Sequence, residues 1–186
     1  MEIINGERLV LGTCYYPEHW DESLWRDDLR RMLENGIEVI RIAEFAWSKI
    51  ERYEGVFNYD FYDKFLDLAE EMGMKVIFCT PTATPPAWLT EKYPEVLNAN
   101  MDGVLYRHGG RRHYNYNSQK YQELTRIIVE KSASHYAKHP AIIGWQIDNE
   151  INCEKNEFYS ESDTIAFRKF LMEKYGSIDA LNEAWG

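Results

Sequence analysis

The chain has 186 residues, 45% of them hydrophobic and 15% aromatic, and a formal net charge of −10. That much apolar side chain predicts a well-packed globular protein and excludes a disordered one, while the acidic balance and the lack of a basic run argue against nucleic acid as a partner. No apolar stretch approaches the ~18 residues of a membrane span, and the start MEIINGERLVLG lacks the basic-then-apolar order of a signal peptide.

Short apolar strands alternate with amphipathic helices along the chain. RLVLGTCYY (8–16) reads as a first strand, followed by a helix in which Trp25, Leu29, Met32 and Leu33 recur at helical spacing and Gly36 marks the stop. EVIRIAEF (38–45) is a second strand. The next helix carries Phe61, Phe65, Leu68, Ala69 and Met72 on one face, and KVIFCTP (75–81) is a third strand stopped by Pro81. The strand starts NGIEVIRI and MGMKVIFC are near copies of one another, as repeated units would be.

Residues 82–117, rich in Pro, Gly, Asn and Arg, interrupt the third unit. Ser118 then stands as N-cap of a helix through about His135, with Tyr121, Leu124 and Ile128 turned inward. AIIGWQIDN (141–149) is strand four, 162–175 is a further helix ended by Gly176, and IDALNEAWG (178–186) starts another helix or turn. No linker divides the chain, so residues 1–186 are expected to form a single domain. The class is α/β: parallel (β/α) units with right-handed crossovers. Four such units are the first half of a TIM (β/α)8 barrel, which needs about 200 residues at the minimum.

Three cysteines, Cys14, Cys79 and Cys153, lie far apart with no CxxC pair. They fit reduced thiols in cytoplasm and offer no metal site.

Strand four ends on Asp148, Asn149 and Glu150, three residues that strand propensity disfavours and burial penalises. The two-residue period puts Gln146, Asp148 and Glu150 on one face, and Ile143, Trp145, Ile147 and Asn149 on the other. The greasy face would pack on helices and the polar face would point into the barrel, near the strand C-termini where ligands of parallel α/β folds bind. Arg41 on strand two is likewise opposite in parity to Ile40 and Ile42. From spacing alone, an ion pair or cap involving Arg41 or Arg111 accounts for Glu150 as well as catalysis does.

The stretches GTCYYPEHW (12–20), VIRIAEFAWSKIERYEGVFNYD (39–60), VIFCTPTATPPAWL (76–89), GGRRHYNYNS (109–118), HPAIIGWQIDNE (139–150) and YGSIDALNEAWG (175–186) cover nearly the whole chain. In that order they resemble the N-terminal half of a glycoside hydrolase family 42 β-galactosidase. The resemblance implies a retaining glycosidase acting on terminal β-D-galactosides, without cofactor. It maps Glu150 to the general acid/base, Asn149 to a hydrogen bond with the galactose 2-hydroxyl, and Arg111 to a further sugar contact. Arg41 is a weaker candidate that would either orient carboxylates or touch the sugar. The chemistry fits: a protonated carboxylic acid can donate to the glycosidic oxygen and then act as base, and an amide and a guanidinium offer oriented hydrogen bonds.

Tyr15, Tyr16 and Glu18 at the end of strand one suit mouth-lining or capping roles. Glu44 is expected to be structural, Trp88 a loop-packing residue, and His108 and His113 loop hydrogen-bonders. Asn115 stands where zinc-binding members have their first Cys, so no structural zinc is expected. The family takes its nucleophilic Glu from strand seven, which the four units do not include. The resemblance therefore implies that the chain holds the acid/base half of the site and is inactive alone. Two further readings stay open. Another member of the same clan could act on galactans or arabinosides, and a non-catalytic half-barrel could close by self-association as a homo-oligomer.

Overall fold

Four parallel strands, hydrogen-bonded in the order in which the chain makes them, form one sheet. In the computed structural model, which describes residues 9–110, 113–151, 153 and 156–186, they are β1 (Leu11–Cys14), β2 (Ile37–Ile42), β3 (Lys75–Cys79) and β4 (Ile142–Gln146). The helices are α1 (Glu22–Glu34), α2 (Trp47–Ile50), α3 (Asp60–Glu71), α4 (Ala87–Lys92), α5 (Gln119–Tyr136), α6 (Glu161–Tyr175) and α7 (Ile178–Trp185). A strand order that never reverses is that of a barrel wall, whereas doubly wound sheets switch direction at their first strand. The sheet is half of a (β/α)8 barrel. Among the described residues, no helix is long and apolar enough to cross a membrane.

Described residues within Met1–Pro86 and Ile127–Ile151 make one compact unit, and those within Ala87–Arg126 and Asn152–Gly186 make a second. In the first unit the helix-facing side of the sheet is dry. Ile40, Ile42, Val76 and Phe78 have no exposed surface. The Phe78 ring lies 4.8 Å from Tyr136, 5.3 Å from Trp145 and 5.8 Å from Tyr62. On the flank, Trp25 meets Phe61 and Phe65 edge-on while its indole N–H donates to the Pro17 carbonyl at 3.1 Å. Burying that donor without a partner would be costly.

The expected inward face of α3 is rotated by about one position. Tyr62, Phe65, Leu66 and Ala69 are its buried residues, and Phe61, Leu68 and Met72 are only half-buried. Phe78 below the helix demands Tyr62 at its centre, a tertiary contact that helical spacing alone does not specify. The strands are shorter than their apolar runs. Ala43 takes a left-handed φ of 71° and closes β2, and Asp148 at φ 52° closes the turn after β4. Ile147 therefore leaves the sheet and is 72% exposed, where strand parity had placed it against helices.

Residues 82–117 build their own hydrogen bonds, within the second unit from α4 onward. Asn98 N–H donates to the His113 carbonyl at 2.8 Å and Asn115 N–H to the Val96 carbonyl at 2.7 Å. Ser118 Oγ accepts from the Tyr121 N–H, as an N-cap should. The Asn115 side chain is fully buried and donates to Asp163 and to Ser160. Asn117 Nδ2 adds a bond to Asp163 Oδ1 at 2.7 Å. Ser160 and Asp163 also close a capping box on α6, which ends at Gly176 with φ 75°.

Phe78 is the aromatic hub of the first unit. Phe78→Ala should lower unfolding free energy by roughly 3–5 kcal/mol, the range for emptying a buried aromatic site. A urea titration followed by tryptophan fluorescence measures it.

Candidate active site

The other face of the sheet is polar where the strands end. Register aligns Cys14, Arg41, Ile77 and Gly144 across the four strands, so their side-chain directions lie on one side of the pleat. Cys79 and Gln146 are the next residues on that side.

Arg41 organises this face. Its Nη1 donates to Gln146 Oε1 at 2.6 Å, its Nη2 donates to Cys14 Sγ at 3.0 Å, and it pairs ionically with Glu44. Glu44 is only 3% exposed, and its Oε1 also accepts from the Tyr16 hydroxyl at 2.6 Å. A carboxylate so buried persists because charged and hydroxyl donors surround it. Burial is the largest influence and pulls the Arg41 pKa down, but the Glu44 charge, the bond to Cys14 and the charges of Cys14 and Cys79 together outweigh it, and the guanidinium is held above its ordinary value. Burial, with the bond to Glu44, pushes the Tyr16 hydroxyl from 10.0 up to about 12. Burial also raises the Cys79 thiol to about 12, so it is no nucleophile at neutral pH.

The turn after β4 carries Asp148, Asn149 and Glu150. Asp148 and Glu150 hold positive φ values of 52° and 45°; with Ala43 they are the non-glycine residues in that region among the described ones. Such conformations cost roughly 1–3 kcal/mol each and persist where surrounding bonds impose them. Here the Asp148 N–H donates to Thr80 Oγ1 at 2.7 Å, and the Asn149 N–H donates to Asp148 Oδ1 at 2.8 Å. Gln146 Nε2 donates to the Asp148 carbonyl at 2.8 Å and to Asn149 Oδ1 at 3.2 Å. Asn149 is consequently buried, and Glu150 stands exposed at the end of the turn.

The structure thus brings Arg41 and Asn149 into one hydrogen-bonded chain through Gln146, with Glu150 next to it in sequence. Arg111 lies outside the described residues. Glu44 sits as a buried partner of Arg41, in line with its structural expectation. Tyr15 turns to α1, where its hydroxyl donates to Asp28 at 2.7 Å. His108 Nδ1 is 2.9 Å from Thr90 Oγ1, and the His113 ring is held to the Gly110 carbonyl. Sequence reasoning placed Gln146 on the polar face without giving it a task, and overlooked Thr80. Their signal was position alone: each ends a strand next to the polar turn.

Asp67, Glu70 and His139 cluster beside α3, just before β4 and so far from its C-terminal end. His139 Nδ1 accepts from the Ala141 N–H at 3.3 Å. Nε2 then points its N–H toward Asp67, 3.6 Å away, as a donor rather than a metal ligand.

The profile of glycoside hydrolase family 42, described as beta-galactosidase, matches residues 14–186. A beta-galactosidase of a Thermus species is 45% identical over 178 residues, which are 95% of this chain and 28% of that protein. One from Halorubrum lacusprofundi is 44% identical over 177 residues, 95% of this chain and 25% of its own length. Among solved structures, beta-galactosidase from the psychrophilic Marinomonas ef1 superimposes with a TM-score of 0.92 at 45% identity, over 96% of this chain and 27% of that one. The catalytic domain of a Paenibacillus polymyxa beta-amylase shares the fold, with a TM-score of 0.66 at 18% identity. The chain spans about a quarter of the length of the curated relatives it matches.

The Tyr16–Glu44 bond predicts a pH signature. Tyr16 binds its proton more tightly folded than unfolded, so its contribution is complete below pH 10.0 and disappears as pH rises to about 12. Between those values the stability of the unmodified chain should fall more steeply than that of Tyr16→Phe, as read from urea midpoints along a pH series.

Proposed function

Since the chain belongs to glycoside hydrolase family 42, we propose that the end of β4 is the proton-transferring half of a site that hydrolyses terminal β-D-galactosides with retention. Glu150 is the general acid/base. Protonated, it donates to the glycosidic oxygen as the bond to the anomeric carbon breaks. Ionised, it takes a proton from the water that releases the sugar. Asn149 holds the 2-hydroxyl, Arg111 supplies a second sugar contact, and Arg41 keeps the strand ends in place. The observation that carries this reading is the turn itself: a strained backbone, tied down at Thr80 and Gln146, that exposes one carboxyl group beside a buried amide.

Retention needs a second carboxylate about 5–5.5 Å from the first. Glu44 is committed to Arg41 and Tyr16, and Asp148 to the Asn149 N–H. The nucleophile is then the Glu of a seventh strand that the family resemblance implies, a reading supported by the quarter-length match to the relatives. The three cysteines are unbridged, which supports a reducing, cytoplasmic setting.

A second reading, self-association without catalysis, rests on the sheet margins. All four β1 residues are exposed, and β1 and β4 each have a single neighbour among the described strands. Such edges are templates for pairing with another chain. Light scattering of the purified chain should then give twice the 22.0 kDa chain mass; a monomer at high concentration rejects this reading.

For catalysis, the chain should be grafted in place of the matched quarter of the Thermus relative. Glu150→Gln is expected to slow hydrolysis of an alkyl β-galactoside by about 10²–10⁴-fold, and less for an aryl galactoside with a good leaving group. Equal rates for both forms would reject Glu150 as the acid. The 186-residue chain alone should hydrolyse no more than its Glu150→Gln variant; activity lost on substitution would instead place a complete site within it.

A further inference from the structure

We infer that His108 and His113 form a binding site for a divalent transition-metal ion of the zinc class, each ring offering its Nε2. The site lies within the second unit and does not depend on the galactosidase reading.

Hydrogen-bond partners decide which imidazole nitrogen carries the proton. The His113 ring is held through Nδ1 to the Gly110 carbonyl, which only accepts, so the proton sits on Nδ1. Burial is the largest influence on this ring and, with His108 alongside, outweighs the Gly110 bond. It holds the His113 pKa below the ordinary imidazole value, so the ring is neutral at pH 7 and Nε2 is a bare lone pair. His113 is 5% exposed, and that Nε2 is a buried nitrogen with no hydrogen-bond partner among the described residues. A buried acceptor left without a donor is costly and calls for an explanation. His108 reaches the same arrangement by another route. Its Nδ1 lies 2.9 Å from Thr90 Oγ1, and the Thr90 hydroxyl donates its one proton to the Ala87 carbonyl at 3.2 Å. The hydroxyl therefore accepts from the His108 Nδ1–H, and Nε2 is the nitrogen left for a metal.

One ring nitrogen tied as a donor to an oxygen, with the other left open, is how metal-binding histidines are usually oriented. His139 is the reverse case, since its Nδ1 accepts from the Ala141 N–H. The spacing of the pair fits as well. Two imidazoles on one tetrahedral ion, each nitrogen about 2.1 Å from the metal, have ring centres roughly 5 Å apart. The His108 and His113 rings are 4.9 Å apart and inclined at 71°. Exposed His108 offers the entry side, and buried His113 a ligand shielded from water. Imidazole nitrogens suit zinc, copper and nickel, whereas magnesium and calcium prefer oxygen. Among the described residues no third His, Cys, Asp or Glu closes on the pair. Water then completes the coordination, and the ion binds exchangeably rather than as a closed structural centre.

The measurement uses the 186-residue chain labelled with nitrogen-15 and follows its imidazole nitrogens by NMR as zinc chloride is added, at about pH 8, above the ordinary imidazole pKa. Before zinc, both rings should carry their proton on Nδ1 and none on Nε2. Zinc should then shift the Nε2 signals of His108 and His113 together, and magnesium chloride should shift neither. His108→Ala, a change at an exposed position, should weaken zinc binding at His113 by at least about tenfold, the least that loss of a supporting partner costs. A proton found on Nε2 of either ring overturns the proposal before any metal is added. So does zinc that moves other histidines while leaving this pair in place, or that binds His113 equally well in His108→Ala. No readout involves hydrolysis, so failure of the Glu150→Gln test would leave the metal result standing on its own.

Discussion

A positive charge held on the inner face of a parallel sheet is the constraint on which the strand ends of this chain depend. Arg41 is about one-quarter exposed as a side chain, and a guanidinium in that position needs oriented acceptors. It finds them on three strands or their ends, at Cys14, Glu44 and Gln146. Each partner is then obliged in turn. Glu44, almost fully buried, needs the Tyr16 hydroxyl as well. Gln146, with its oxygen committed to Arg41, can turn only donors toward Asp148 and Asn149. One charge thus fixes a run of polar directions from β1 to the turn after β4.

This arrangement is possible because the two faces of the sheet do different work. The helix side is closed by aromatic and branched residues around Phe78, whose burial removes apolar surface from water. With the core secured there, the opposite side can hold polar groups and left-handed backbone at Ala43, Asp148 and Glu150. Strain of that kind survives only where rigid neighbours impose it. Thr80 and Gln146, each at the end of an ordered strand, are those neighbours.

The second unit follows a similar logic with other residues. Asn115 lies fully buried, and its amide and that of Asn117 converge on Asp163, which also closes the first turn of α6. A loop rich in Pro, Gly and Asn is pinned to a helix by hydrogen bonds rather than by apolar contact. Every member of such a network must be satisfied, since an unmet buried donor costs as much as several good contacts return.

Hydrophobic periodicity made the strand–helix alternation, the parallel sheet and the half-barrel legible in the sequence, because the repeat of two or of about four residues follows directly from which side is buried. Strand parity likewise assigned Arg41 and Gln146 to the polar face, and Ser118 and Gly176 marked helix ends by local backbone chemistry. Only the tertiary structure decided the rest. The buried face of α3 turned to seat Tyr62 on Phe78, and the strands stopped short of their apolar runs where left-handed residues broke the ladder. The relay from Arg41 through Gln146 to Asn149 joins residues 105 positions apart in its first step. Such a bond depends on the register between β2, β3 and β4, and no local pattern in a sequence encodes a distance across a sheet.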